Sequence, residues 1–143
     1  FLVGAVCGGR TLTGLAAVAL SSEPDELSGP LARLAGTGGR RAVTLGALGE
    51  LVADKLPFTP SRLTPPSLAG RIAAGAVAAS VLASRSRHNV LGYALLGAGG
   101  AVVGSIVGAR WRSFAADQGW PALASAAAED AVVAGAAALI GRR

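Results

Sequence analysis

A chain of 143 residues that is 52% hydrophobic and only 15% charged, with a mean hydropathy of +0.54, has too little polar surface for a soluble domain, where about a quarter of residues are charged. Its net charge of +5 does not point to nucleic acid, because the thirteen basic residues stand mostly singly or in pairs between apolar stretches, the pattern produced by positive-inside topology and phospholipid headgroups. One cysteine (Cys7) and one histidine (His88, beside Arg85 and Arg87) exclude an intrachain disulfide and a cysteine cluster,. There is no methionine, so the native N-terminus is expected to lie further upstream.

Long apolar runs, rather than amphipathic periodicity, predict an all-α polytopic membrane bundle of about five segments, at about 1–20, 42–57, 67–84, 89–109 and 122–140,. The whole of 1–143 reads as one integral-membrane domain. The first segment has a signal-peptide-like Ala17-Val18-Ala19, but Arg10 in its apolar centre argues against that reading,. The connection 21–41 is the one long polar loop. In the next, Pro57 is expected to stop the second helix, and Thr64 before Pro65 reads as an N-cap with proline at the first helical position,. Residues 85–89 form a short basic turn, and Trp111 and Trp120 bracket the loop 110–121 as an aromatic belt would,.

The first loop, third loop and C-terminus hold seven basic residues (Arg33, Arg40, Arg41, Arg85, Arg87, Arg142, Arg143) against four in the second and fourth loops (Lys55, Arg62, Arg110, Arg112). The bias favours the N-terminus outside and the C-terminus inside.

Ionisable residues within these segments are the main functional signal, since a charge in hydrocarbon costs about 2.5–3.5 kcal/mol even on a lenient scale. They are Arg10, Glu50, Asp54, Arg71, Glu129 and Asp130, with Lys55 expected to reach the interface,. Glu50 and Asp54 are spaced to share a helix face, with Gly46 one turn earlier,. Gly9-Arg10-Thr11-Leu12-Thr13-Gly14 parallels Gly70-Arg71-Ile72-Ala73-Ala74-Gly75, and each is followed by an acidic apolar helix. This faint repeat fits an internal duplication. Two arginines against four carboxylates leave a surplus, so at least one carboxylate is expected to be protonated or hydrated. The arginines are the natural partners of the carboxylates, either as ion pairs that fix packing or as a polar path.

Gly100, Gly104 and Gly108 form a glycine zipper, with Gly97, Ala101 and Ser105 on an adjacent stripe,. It predicts close helix packing within the chain or with a second subunit. A dinucleotide-binding reading of the same glycines fails without a preceding strand. No G-x-S-x-G, P-loop or metal cluster is present. The chain is therefore not expected to be an enzyme or to carry a metal or cofactor.

Residues 49–62, Gly-Glu-Leu-Val-Ala-Asp-Lys-Leu-Pro-Phe-Thr-Pro-Ser-Arg, resemble the signature of a bacterial integral-membrane family, domain of unknown function family 4126. Gly9 to Thr13, Leu68-Ala69-Gly70-Arg71 and Ala128-Glu129-Asp130-Ala131 extend the resemblance along nearly the whole chain. It implies a small helical membrane protein and supplies no activity. The Ala/Gly/Arg-rich usage suggests a high-GC bacterium and its plasma membrane.

The expected function is that of a small proton-coupled transporter or channel-like protein. Its polar centre would be Arg10, Thr11, Thr13, Glu50, Asp54, Arg71, Glu129 and Asp130, with Thr59 and Ser61 as further neutral hydrogen-bonding groups. The alternative is an accessory subunit of a membrane complex whose ion pairs only specify packing. The expected partners are the lipid bilayer and further copies or subunits, not nucleic acid.

Overall fold

The computed structural model describes residues 1–53 and 63–141. Among these, every regular element is a helix: α1 (Leu2–Gly9), α2 (Thr11–Ser21), α3 (Pro30–Ala35), α4 (Thr37–Ala53), α5 (Pro65–Arg85), α6 (Val90–Asp117) and α7 (Ala122–Gly141), with a 3-10 turn at Pro24–Glu26. Among the described residues three helices are long and apolar enough to cross a membrane: α5, α6 and Ala122–Ile140 of α7.

The other two expected segments depart from simple spans. The first breaks at Arg10, whose backbone is extended (φ −140°, ψ 113°). The second begins at Thr37 instead of near residue 42, so Arg40 and Arg41 lie in its first two turns and its described apolar part is short. The helix stop expected at Pro57 lies outside the described residues.

Past Arg10 the chain folds back on itself. Gly14 of α2 sits so close to α1 that a Cβ there would collide with Cys7 Sγ and crowd the Val3 carbonyl. Val3, Cys7 and Val18 share one buried cluster with Ala74, Ala78 and Val81 of α5. α1 runs beside α6 in the same direction, Gly4 against Gly97 and Gly8 against Ala101 and Ser105. α2 runs beside α5, from a tip near Arg71 to Ser21 and Ser22 near Arg85. Both limbs of the α1–α2 hairpin therefore point to the end of the bundle that carries Ser22, Arg85 and Asn89. Its tip lies deep, since Arg71 is about 21 Å along α5 from Arg85 at ~1.5 Å per residue,.

Small residues allow this packing. Gly75, Gly97 and Gly4 meet where α5, α6 and α1 cross, and a Cβ on Gly97 would strike the Gly75 carbonyl. Gly100 and Gly104 lie against the α1 backbone at Phe1 and Ala5 of the same chain. Side chains at these positions would hold α1, α5 and α6 apart.

The ends are polar in different ways. At the Ser22 end, Arg40 donates to the carbonyls of Ala19 (3.2 Å) and Ser22 (2.6 Å), closing the C-terminus of α2,. Arg85 lies 3.5 Å from Glu26 there. At the opposite end α6 runs on to Asp117, so residues 110–117, expected in a loop, are helical, and Gly119 (φ 71°) makes the turn. Trp111 stacks edge-on against Trp120 (5.7 Å). Thr64 is the N-cap residue of α5, with proline in its first turn, but its side chain makes no capping bond. Asn89 does cap α6, accepting from Gly92 N–H at 3.1 Å,.

Candidate functional site: the charged tip of a folded-back helix pair

Breaking a helix inside a bundle leaves carbonyls without donors at one end and N–H groups without acceptors at the other. In a low-dielectric setting each such orphan costs several kcal/mol. Side chains from three other helices meet both needs at the α1–α2 tip. Arg71 of α5 donates through Nη1 to the carbonyls of Gly8 (2.7 Å) and Gly9 (2.9 Å). The Ser105 hydroxyl of α6 donates to Ala101 O (2.8 Å) and lies 3.2 Å from Gly8 O. Glu50 of α4 accepts from Thr11 N–H through Oε1 (2.7 Å) and from Leu12 N–H through Oε2 (2.8 Å). The cation holds the C-terminus of α1 and the carboxylate the N-terminus of α2, so each charge matches the helix dipole it meets. Arg71 Nη2 is 3.9 Å from Glu50 Oε1, which joins the two caps.

Arg10 occupies the break. It is 1% exposed, and its Nε donates to Asp130 Oδ1 of α7 at 2.8 Å, with Nη2 on the same oxygen. Its Nη1 reaches the Glu50 carbonyl at 3.4 Å. A third pair stands apart: Arg112 Nε of α6 donates to Glu129 Oε2 of α7 at 3.1 Å. Beside it Trp111 Nε1 donates to Ser125 O at 3.1 Å, tying α6 to α7.

The tip thus unites four of the expected charges, Arg10, Glu50, Arg71 and Asp130, and adds Thr11 through its backbone N–H. Glu129 is not among them. It neighbours Asp130 in sequence, but consecutive helical residues point about 100° apart, and it turns to Arg112. Thr13 lines a shallow hollow between α2 and α7 beside Ala134 and Ala137 instead of joining the tip. Asp54, Lys55, Thr59 and Ser61 lie outside the described residues. Gly100 and Gly104 have the packing role given above, and Gly108 is buried where α6 borders a groove against α1 and α7.

Sequence reasoning missed Arg112, Ser105 and the Gly8 and Gly9 carbonyls. Arg112 was hidden by ending the fourth segment at 109. Its spacing of four from Gly108 was the available signal. With Arg112 counted, Glu50, Glu129 and Asp130 each face an arginine. Among the described residues no three His, Cys or carboxylate side chains converge as a metal set. The hollows beside the tip are walled almost wholly by apolar side chains.

No family model matches the chain, and neither a curated protein nor a solved structure matches it.

Proposed function

We propose that this chain is a small integral protein of a bacterial plasma membrane with transporter- or channel-like activity, in which the α1–α2 hairpin is the moving part and its charged tip the polar centre. The observation that carries the reading is the break at Arg10. Apart from Arg10, residues 2–21 are apolar enough for a plain helix, which would leave no orphan backbone groups in its middle,. The chain instead breaks there and relies on Arg71, Glu50 and Asp130 to satisfy the break. Discontinuous membrane helices recur at the midplane ion and substrate sites of transporters. Proton uptake by Glu50 or Asp130 would weaken the grip on the tip, coupling protons to its movement.

In this reading four helices, α4 to α7, cross the bilayer and α1–α2 enters as a re-entrant fifth segment. The arginine-rich Ser22 end faces the cytoplasm, so the fold-back puts Phe1 on that side instead of outside, as five full crossings would have it. Arg10 pairs with the acidic helix of the second half and Arg71 with that of the first, a cross-pairing that supports an internal duplication. Kinship with the family that residues 49–62 resemble is part of the same proposal. In reconstituted vesicles Glu50→Gln and Arg10→Ala should abolish a pH-dependent flux of small ions. Undiminished flux from folded variants would remove these residues from the mechanism.

The pairing of Glu50, Glu129 and Asp130 with arginines favours a second reading, an accessory subunit in which the ion pairs only specify packing,. It predicts a heavier assembly in mild detergent, and a loss of stability without loss of partner binding in Glu50→Gln. A stable lone monomer would count against it.

A further inference from the structure

The base of the hairpin, at the Ser22 end, is gripped by two of the helices that also hold its tip. Arg40 of α4 donates to the Ala19 and Ser22 carbonyls. Arg85 of α5 lies 3.4 Å from the Ser21 and Ser22 hydroxyls. Arg40 and Glu50 are ~15 Å apart along α4 at ~1.5 Å per residue,, close to the length of the 11-residue α2. α4 therefore reaches both ends of α2. The loop that leaves α2 comes back to the same two arginines. Its Glu23 carboxylate accepts from Arg40 Nη2 at 3.4 Å, and its Glu26 carboxylate lies 3.5 Å from Arg85 Nε. Glu26 also accepts from the Glu23 N–H at 3.0 Å, which fixes the turn. Leu27 then anchors the loop in the buried cluster of Val18 and Val81. Tip and base differ in their access to water. At the tip Glu50 is 14% exposed; at the base Glu23 is 53% and Glu26 35% exposed.

We infer, on the reading of the hairpin as the moving part, that residues 22–27 form an ionic latch that holds it folded back and that weakens as ionic strength rises. α2 cannot leave its place without parting Arg40 from the Ala19 and Ser22 carbonyls. Glu23 and Glu26 keep the loop on Arg40 and Arg85 and so oppose that parting. Salt screens exposed charge pairs strongly and buried ones much less. It therefore acts on the base and spares the tip. An exposed pair contributes little by itself, which suits a contact that has to open. The same end also carries exposed Arg33, Arg41, Arg87 and Asp25, so its charge is basic in balance. Without the Glu23 and Glu26 carboxylates, repulsion among the arginines dominates there, and salt relieves repulsion. The rise of opening with salt is then lost or reversed.

The test follows labelling of Cys7, which Gly14 of α2 covers, by N-ethylmaleimide in the full chain in an uncharged detergent. KCl is raised from about 0.1 M to about 1 M, which shortens the Debye length from about 10 Å to about 3 Å. The labelling rate of the parent should rise about two- to tenfold. Glu23→Gln combined with Glu26→Gln removes both charges and keeps an acceptor for the Glu23 N–H,. That double variant should label faster than the parent at low salt and show no rise, or a fall, as salt is added. Asp25→Asn removes a charge of the same loop that makes no ion pair among the described residues, and it should keep the parent's response. Glu50→Gln, which acts at the tip, should label faster and also keep the rise with salt. A parent rate flat in salt beside a faster Glu50→Gln would overturn the latch and leave the moving hairpin standing. So would an undiminished salt response in the double variant, or a response that Asp25→Asn abolishes equally. Labelling equally slow in all four proteins would overturn the hairpin's movement, and the latch with it.

Discussion

Glu50 and Arg71 face each other across the hairpin tip with 3.9 Å between charged atoms, one holding the start of α2 and the other the end of α1. Neither residue belongs to the hairpin. The fold-back is held by charges delivered from α4 and α5, so its stability is a property of the bundle and not of the first segment.

Glu50→Gln keeps the shape of the side chain and removes one of its two acceptors. One of the Thr11 and Leu12 N–H groups then loses its partner and Arg71 loses its counter-charge. Breaking a buried pair from one side costs about 3–5 kcal/mol; Glu50 is 14% exposed, so about 3 kcal/mol is expected from unfolding in detergent. Cys7, fully buried against α2, reports the local event. Maleimide labelling of Cys7 should be slow in the parent and clearly faster in Glu50→Gln, at temperatures where α5 to α7 stay folded.

The Arg10–Asp130 contact ties the break to α7 across 120 positions of sequence. Arg10→Gln and Asp130→Asn should each destabilise the protein, and the double variant by less than their sum. A coupling of about 1–3 kcal/mol is expected for a directly bonded buried pair. Additive losses would show that the contact contributes nothing.

Glycines in one helix should respond with opposite signs. Gly104→Ala would drive a Cβ into the Ala5 carbonyl and should cost about 1–3 kcal/mol,. Gly99, also in α6, has nothing within 4 Å of its would-be Cβ, so Gly99→Ala should be neutral or stabilising by up to about 1 kcal/mol,. Thermal unfolding of the two variants side by side checks this.

Single cysteines in a Cys7→Ala background test the orientation. Ser28→Cys and His88→Cys, both exposed toward the arginine-rich end, should react with a membrane-impermeant maleimide only from the cytoplasmic side. Gln118→Cys should react only from the opposite side. Labelling of all three from one side would break the proposed topology.

The sequence by itself determined the class and the unusual residues. Helical segments with little surface to wet are dictated by composition, and a charge in hydrocarbon stands out in any order of residues. It placed α5 and α7 within about two residues of their ends, and Pro65 after Thr64 marks where α5 starts,. It also selected Arg10, Glu50, Arg71 and Asp130. Only the tertiary structure decided that the first segment turns back at Arg10 instead of crossing. It decided too that Glu129 goes to Arg112, and that Gly100 and Gly104 press on α1. Residues 2–21 are as apolar as a span, and local preference does not distinguish a continuous helix from a broken one. The break is stable where Arg71 and Glu50 arrive from helices 38 to 63 positions away to hold its two ends, and nothing local to the segment records that they will.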